Sequence, residues 1–247
     1  MNFQNIESAA FRSWPAMEQI QEGGVVLRFS DGYTKRANSA NILTRQEGDY
    51  YALVSRCEQY FKKKEVPCIF RLPSFCDNRQ FDQYLGSNNY QLLDRSLVLS
   101  RSLQGATFDN QGLVLKKSRE WLTDFCRISD TDINQHEAHL AILDRINDQA
   151  LMAVLVENGA EVACGVGVIS NGYFGLYDLV TEHDSRKKGY ATKLLNGMLC
   201  WAVAQGASTA YLQVVARNKS AISLYNKMGY EHCYEYWYMA RNPPTSI

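Results

Sequence analysis

The chain has 247 residues, of which 46% are hydrophobic and 21% charged, a composition ordinary for a globular protein that excludes disorder as the main state. At roughly 150 residues per domain the length falls between one large domain and two small ones. Lys plus Arg and Asp plus Glu balance at 26 each, which excludes the global basic field of a phosphate-backbone binder and leaves room only for a local basic patch.

The cysteines, Cys57, Cys68, Cys76, Cys126, Cys164, Cys200 and Cys233, are odd in number and show neither C-x-x-C nor zinc-ligand spacing. They are expected to be reduced, mostly buried thiols of a cytoplasmic protein. The longest clean apolar run, Ala150 to Val156, is far short of the ~18 to 20 residues that span a bilayer. The segment Met1 to Met17 carries Glu7, Arg12 and a Trp14-Pro15 break rather than a basic stretch followed by an apolar one. Neither a membrane span nor a secretion signal is predicted.

In chain order, Ser30-Asp31-Gly32-Tyr33 reads as a hairpin turn between strands Val25 to Phe29 and Thr34 to Ala37. A helix follows with Tyr50, Leu53, Val54, Cys57 and Phe61 on one face, ending in Lys62-Lys63-Lys64-Glu65, whose cations suit a helix C-terminus. Strand Cys68 to Leu72, helix Arg79 to Leu85 and strand Leu92 to Leu99 come next, and Gln104 to Gln111, rich in Gly, Asn and Asp, reads as a linker.

Beyond the linker, Arg119 to Ile128 and Asn134 to Ile146 read as helices. Three strands in series, Leu151 to Val156, Val162 to Ile169 and Tyr173 to Thr181, are joined by Asn158-Gly159 and Asn171-Gly172 turns. The period then changes: Ala191, Leu194, Leu195, Met198, Leu199 and Ala202 form one helical face that stops at Gly206. Strand Ala210 to Val215 precedes a helix capped by Asn218, with Ala221, Leu224, Tyr225 and Met228 inward and Gly229 at its end; strand Tyr234 to Met239 follows.

Helices following strands in this order predict an α+β fold with a mixed sheet. The first part repeats the C-terminal order when shifted by 140 residues, with Tyr90 beside Tyr230 and Leu97-Val98-Leu99 beside Trp237-Tyr238-Met239. An internal duplication is therefore predicted, with domains at 1–106 and 107–247.

The most informative segment is Leu179-Val180-Thr181-Glu182-His183-Asp184-Ser185-Arg186-Lys187-Lys188-Gly189-Tyr190-Ala191-Thr192. A strand runs through a basic, glycine-containing loop straight into a helix, whose first amides are unpaired at the positive end of the dipole. Such a junction is an anion site. Gly189 lets backbone approach a phosphate, Ala191 keeps the first turn free of bulk, and Arg186, Lys187 and Lys188 add charge. An ordinary solvated loop with three cations is the plainer alternative.

These residues resemble the GNAT superfamily of N-acetyltransferases, whose Arg/Gln-x-x-Gly-x-Gly/Ala signature stands here as Arg186-Lys187-Lys188-Gly189-Tyr190-Ala191. The family's second signature is matched by Asn218, Ala221, Leu224-Tyr225 and Gly229-Tyr230, about thirty residues on. The likeness covers about 113 to 241. Thr181-Glu182-His183 replaces the family's usual Val-x-Pro, which puts the angle of the strand's exit in doubt. The resemblance implies a GNAT-like mixed, mostly antiparallel sheet flanked by helices, in a pseudo-duplicated pair of GNAT-like domains.

It also implies an acetyl-coenzyme A site and transfer of acetyl to a primary amine by direct attack in a ternary complex. Main-chain groups of Leu179 and Thr181 would meet the pantetheine arm where two strands splay, and Asn218 would face it. The pyrophosphate would sit on the amides of Lys187, Lys188, Gly189, Tyr190, Ala191 and Thr192, with Arg186 nearby. A backbone N–H near Val180 or Thr181 would polarise the thioester carbonyl. Tyr225 is the general-acid candidate, and Glu182, then Asp178, are candidates for the base.

The first part's counterpart of this loop, Arg45-Gln46-Glu47-Gly48-Asp49-Tyr50, places Glu47 and Asp49 where a pyrophosphate would lie. No coenzyme is expected there, and that half is expected to support the active one. His136 and His139 flank Glu137 but lack a third metal ligand, so they are expected to be solvated and no metal is expected. Tyr234, Tyr236 and Tyr238 either pack a sheet or line an acceptor cleft. The expected partner is a small-molecule or peptide amine, without nucleic acid or membrane, and a homodimer is compatible with it. Amino acid, polyamine, aminoglycoside, peptide N-terminus and protein lysine all remain open as acceptors. A coenzyme-binding sensor without transfer activity is the alternative function.

Overall fold

A computed structural model describes residues 3–241. In chain order these form α1 (Phe3–Ser13), β1 (Glu18–Glu22), β2 (Val25–Phe29), β3 (Ser39–Ile42), α2 (Tyr50–Lys63), β4 (Ile69–Pro73), α3 (Arg79–Ser87), β5 (Tyr90–Ser102), β6 (Val114–Leu115), α4 (Ser118–Ser129), α5 (Glu137–Leu143), β7 (Gln149–Glu157), β8 (Ala160–Ser170), β9 (Tyr173–Thr181), α6 (Tyr190–Ala204), β10 (Thr209–Val215), α7 (Lys219–Lys227) and β11 (Glu231–Arg241). They gather into two compact units that interleave along the chain. One comprises the residues up to Pro15 with Leu99–Gln213 and Ser223–Glu231; the other comprises Ala16–Val98, Val214–Ile222 and the residues from His232.

In the unit that holds most of the C-terminal half, the strands lie in the order β10-β9-β8-β7-β6. β8 runs antiparallel to β7 and β9, and β10 runs parallel to β9. Both hairpins turn on Asn-Gly pairs with positive φ, 53° and 80° at Asn158-Gly159 and 51° and 78° at Asn171-Gly172. This backbone matches the strand twist and makes Asn-Gly a strong hairpin signal. The predicted α6 face is buried at Leu194, Leu195, Met198, Leu199 and Ala202, while α1 and α4 also pack on β8 and β9. Trp121 of α4 is fully buried yet satisfied, its Nε1–H donating to Ala153 O at 3.1 Å.

The other unit repeats that plan. Its strands lie in the order β1-β2-β3-β4-β11, with β2 antiparallel to β1 and β3, β3 parallel to β4, and β11 antiparallel to β4. The last strand of the chain thus completes the sheet begun by the first hundred residues. Leu53, Val54, Cys57 and Phe61 of α2 pack with Phe70, Leu72, Phe81 and Leu85 in its core. Tyr234, Tyr236 and Tyr238 are buried, so they pack rather than line an open cleft; Arg71 stacks 3.8 Å from the Tyr236 ring.

Several local expectations are corrected. Thr34 to Ala37 is no strand: a 3-10 turn covers Lys35–Ala37 and β3 starts at Ser39. The Asn38 side chain fixes this longer connection, accepting from Ser30 N and Gly32 N and donating to Tyr33 O and Thr34 O. The helix expected over Asn134 to Ile146 is a 3-10 turn, Ile133–Gln135, followed by the short α5. His136 and His139, expected to be solvated, are buried. None of the seven cysteines forms a disulfide; Cys57, Cys126 and Cys164 are buried and the other four are partly buried. Among the described residues no helix is long and apolar enough to cross a membrane.

Candidate active site

The site is built on the end of β9. Its parallel pairing with β10 runs from Tyr173↔Thr209 to Leu176↔Leu212 and then stops. Beyond that point β9 is still held on its other side, with Val180 opposite Cys164 and Thr181 opposite Ala163. The edge of β9 at Leu179 and Thr181 is therefore open toward β10, and backbone groups that alternate to that side are available to an extended ligand, apart from Thr181 O, which accepts from Arg186 Nε. A bulge accompanies the opening: between the pairs Val166↔Tyr177 and Cys164↔Val180, Asp178 and Leu179 together oppose Gly165. Asp178 takes a left-handed φ of 48° there.

After β9 the chain makes a 3-10 turn, His183–Ser185, and enters α6 through Arg186-Lys187-Lys188-Gly189. Lys187 (φ 62°) and Gly189 (φ 85°) are both left-handed, a loop geometry that turns successive amides toward one side. Lys193 N–H donates to Gly189 O at 3.1 Å, closing the first helical bond, whereas the amides of Lys187 through Thr192 bond to no acceptor among the described residues. Arg186, Lys187 and Lys188 are exposed around them. The donor set suits a di-anionic phosphate group. Arg186 also folds back, its Nε donating to Thr181 O at 3.3 Å.

Of the candidate catalytic groups, Tyr225 on α7 is nearly buried and packs edge-on against Tyr230. Burial raises its phenol to about 12, so it keeps its proton at neutral pH. Glu182 accepts a hydrogen bond from Ser185 Oγ at 2.7 Å and so closes its own turn. Asn218 caps α7, accepting from Ala221 N at 3.1 Å. Asp178 lies 2.9 Å from the fully buried His139. Sequence reasoning missed His139 as a neighbour, because a two-histidine spacing on a short helix carries no sign of burial. The signal that could have found it is the pair of aromatics on α4, Trp121 and Phe125, which pack against its ring.

The matching loop in the other unit is occupied by its own side chains. Gln46 N–H donates to Asn78 Oδ1 at 3.0 Å, and Cys76 Sγ donates to Leu43 O at 2.9 Å. Arg45 pairs with Glu47 at 3.1 Å, and Asp49 caps α2 by accepting from Ala52 N. At least one amide of that loop is thus taken from within, and the helix start already has a carboxylate on it.

Two units on one strand plan, with a parallel pair that opens at its end and a basic loop entering a helix, define a tandem protein of the GNAT N-acetyltransferase fold. A GCN5-related N-acetyltransferase from Kribbella flavida is similar with a TM-score of 0.73 at 15% identity, over 97% of this chain and 95% of that one. A tandem GNAT protein from the clavulanic acid biosynthesis pathway gives 0.64 at 12% identity, over 96% of this chain and 87% of that one. An uncharacterized N-acetyltransferase of Bacillus subtilis, YobR, is 28% identical over 245 residues, 96% of this chain and 98% of that protein. The family described as probable histone acetyltransferase Rv0428c C-terminal matches residues 2–239, and the chain belongs to it. It is an acetyltransferase of the GNAT type.

Proposed function

We propose that the chain transfers acetyl from acetyl-coenzyme A to a primary amine, on the site formed by β9, the Arg186 loop and α6. The observation that carries this reading is the end of the β9–β10 ladder at Leu176↔Leu212, which leaves an open strand edge leading straight into amides that no group among the described residues uses. An extended amide-bearing arm fits the first and a pyrophosphate the second. Bound acetyl-coenzyme A supplies the activated thioester carbonyl.

The chain's own contribution is positioning and proton management. Leu179 and Thr181 offer main-chain groups to the arm, and an amide of Val180 or Thr181 faces the charge that develops on the carbonyl oxygen. Lys187 to Thr192 hold the pyrophosphate with Arg186 beside them. Tyr225, protonated at neutral pH, supplies the proton for the departing sulfur. Two carboxylates near the open edge, Glu182 and Asp178, are available to the amine proton.

The test is a thermal melt with acetyl-coenzyme A, followed by free-thiol release in the presence of spermidine, lysine amide, an alanine-terminated peptide and an aminoglycoside. Binding to the native state alone raises the melting temperature by mass action. Arg186→Glu is expected to remove that rise. A wild-type protein unmoved by millimolar acetyl-coenzyme A refutes the reading.

A further inference from the structure

A cavity of about 690 Å³ is formed wholly by the unit built on β1 to β4 and β11, among the β4–α3 loop, the start of α3, β5 and β11. Its size falls inside the roughly 300 to 1,000 Å³ of small-molecule sites. Leu92, Trp237 and Met239 give it an apolar wall, and Leu92 is 55% exposed there. The charged groups that line it are Asp77, Arg79 and Asp82 at the start of α3, Arg95 of β5 and Glu235 of β11. Two of the carboxylates are matched, Asp77 by Arg79 at 2.8 Å and Glu235 by Arg95 at 3.0 Å. Asp82 is not: its Oδ1 accepts from Trp237 Nε1–H at 2.9 Å, and no cation among the described residues pairs with it.

The same cavity has a buried donor in its wall. Asn78 is only 4% exposed, and its Oδ1 accepts from Gln46 N at 3.0 Å, which pins the amide so that Nδ2 turns the other way. That Nδ2 is buried and has no acceptor, a state that a folded chain pays to keep. The shared strand plan does not require it. Asn218, 140 residues further on, spends its Oδ1 on capping α7, whereas the Asn78 side chain makes no cap bond to α3. Asp82 N–H donates to Asn78 O at 2.8 Å, so the two side chains share one face of the first turn, about 5 to 6 Å apart at Cβ. A donor group and an uncompensated carboxylate at that spacing match a molecule that carries an ammonium and a carbonyl oxygen on neighbouring carbons. A ligand carboxylate suits the place poorly, because Asp77 and Asp82 both oppose it.

We propose that this cavity is a binding site for an α-amino amide with an apolar side chain, the chemistry of a peptide N-terminus or an amino-acid amide. The ammonium meets Asp82, the carbonyl oxygen accepts from Asn78 Nδ2, and the side chain lies on Leu92 and Met239. The site is separate from the acetyl-transfer reading, none of whose residues lines the cavity.

The test titrates L-leucinamide into the full chain without coenzyme, followed by calorimetry and by backbone amide shifts. Wild type is expected to bind at millimolar concentration, with shifts at residues 74–82 and 235–239. N-acetyl-leucinamide, whose nitrogen carries no charge, should bind roughly 10- to 100-fold more weakly, and isopentylamine, which has no carbonyl, roughly 3- to 10-fold more weakly. Asp82→Asn keeps an acceptor for Trp237 Nε1–H and should lower leucinamide affinity roughly 10- to 100-fold. Asn78→Asp keeps the acceptor for Gln46 N–H but puts an oxygen in place of Nδ2, so the preference for leucinamide over isopentylamine should vanish, which a merely structural role for Asn78 would not cause. A leucine-terminated tripeptide that binds at least as well as leucinamide assigns the site to peptide N-termini, and weaker binding assigns it to single residues. No saturable binding at millimolar leucinamide, shifts confined to residues outside the cavity, N-acetyl-leucinamide bound as tightly as leucinamide, or an Asp82→Asn affinity within threefold of wild type overturns the proposal. The ligand series on wild type decides the matter even where a variant does not fold, and with no coenzyme present its failure leaves the acetyl-transfer reading standing.

Discussion

Gly189 and Gly48 form a matched pair for testing which loop serves the coenzyme. Both have positive φ, 85° and 97°, and a Cβ built on either meets nothing within 4 Å. Replacing either by Ala therefore introduces no clash, only the left-handed strain of about 1 to 2 kcal/mol, partly offset by about 0.4 to 1 kcal/mol from a stiffer unfolded chain. The net loss of about 1 kcal/mol should lower Tm by roughly 2 to 4 °C in each variant. The coenzyme response should separate them. At a hundred times its Kd, acetyl-coenzyme A adds about 2.7 kcal/mol to wild-type stability, and each tenfold loss of affinity removes up to about 1.4 kcal/mol of that. Gly189→Ala, at the loop with open amides, should lose at least one such step, whereas Gly48→Ala should keep the full shift. Melts with and without acetyl-coenzyme A, joined to calorimetric titration, measure both quantities. Equal losses of affinity in the two variants, or an unchanged affinity in Gly189→Ala, would refute the assignment of the pyrophosphate to the Arg186 loop.

Tyr225→Phe keeps the ring and its packing on Tyr230, so stability and coenzyme affinity should hold while the transfer rate falls roughly 10- to 1000-fold; an unchanged rate and pH profile would rule out the acid role. His136, held below its ordinary 6.5 mainly by burial, takes up a proton more readily in the unfolded chain. Stability should therefore be full above about pH 6.5 and decline as the pH falls below it, and urea midpoints at pH 7.5 and 5.5 should converge in His136→Gln. Asp148 is held below its ordinary 3.8 by its hydrogen bonds from Arg12, at 2.6 and 3.0 Å. Its contribution is present above about pH 3.8 and lost as the pH falls further; because Arg12 is half-exposed, Asp148→Asn should cost only about 1 kcal/mol at pH 7, and a denaturation midpoint identical to wild type would sink that estimate.

The second half of the chain was legible because its punctuation is local. Asn158-Gly159 and Asn171-Gly172 impose positive φ at both turn positions, and the α6 face keeps a clean helical period, so both gave elements within a residue or two of those observed. The loop that leads from β9 into α6 was legible as a loop for the same reason, through Gly189 and its left-handed φ of 85°. Features set by distant partners were not. β1, Glu18-Gln19-Ile20-Gln21-Glu22, is exposed along its whole length, so it has no apolar face to announce it. The Ser30 to Asn38 connection depends on one asparagine's side chain reaching five backbone groups, which no pairwise turn signal encodes. His139 is a core residue because α4 brings Trp121 and Phe125 to it and Trp14 packs beside them.

The duplication was read from element order, and the structure shows what order alone does not say: the strand that follows each repeat need not pair with it. β11 closes on β4 in register from Tyr236↔Pro73 to Ala240↔Ile69, a pairing between segments far apart in sequence. The two units therefore share a topology but differ where short loops meet helix starts. In one, Asn78 reaches out of its helix start to take the amide of Gln46, and Asp49 already caps α2. In the other, Asn218 caps its own helix and the amides of Lys187 through Thr192 bond to no acceptor among the described residues. Helix dipoles favour an anion at both junctions, so the dipole cannot decide between them. What differs is which side chains reach the loop: an asparagine and a carboxylate take a loop amide and a helix-start amide in one, while three exposed cations surround the other, and the proposed phosphate site rests on that difference.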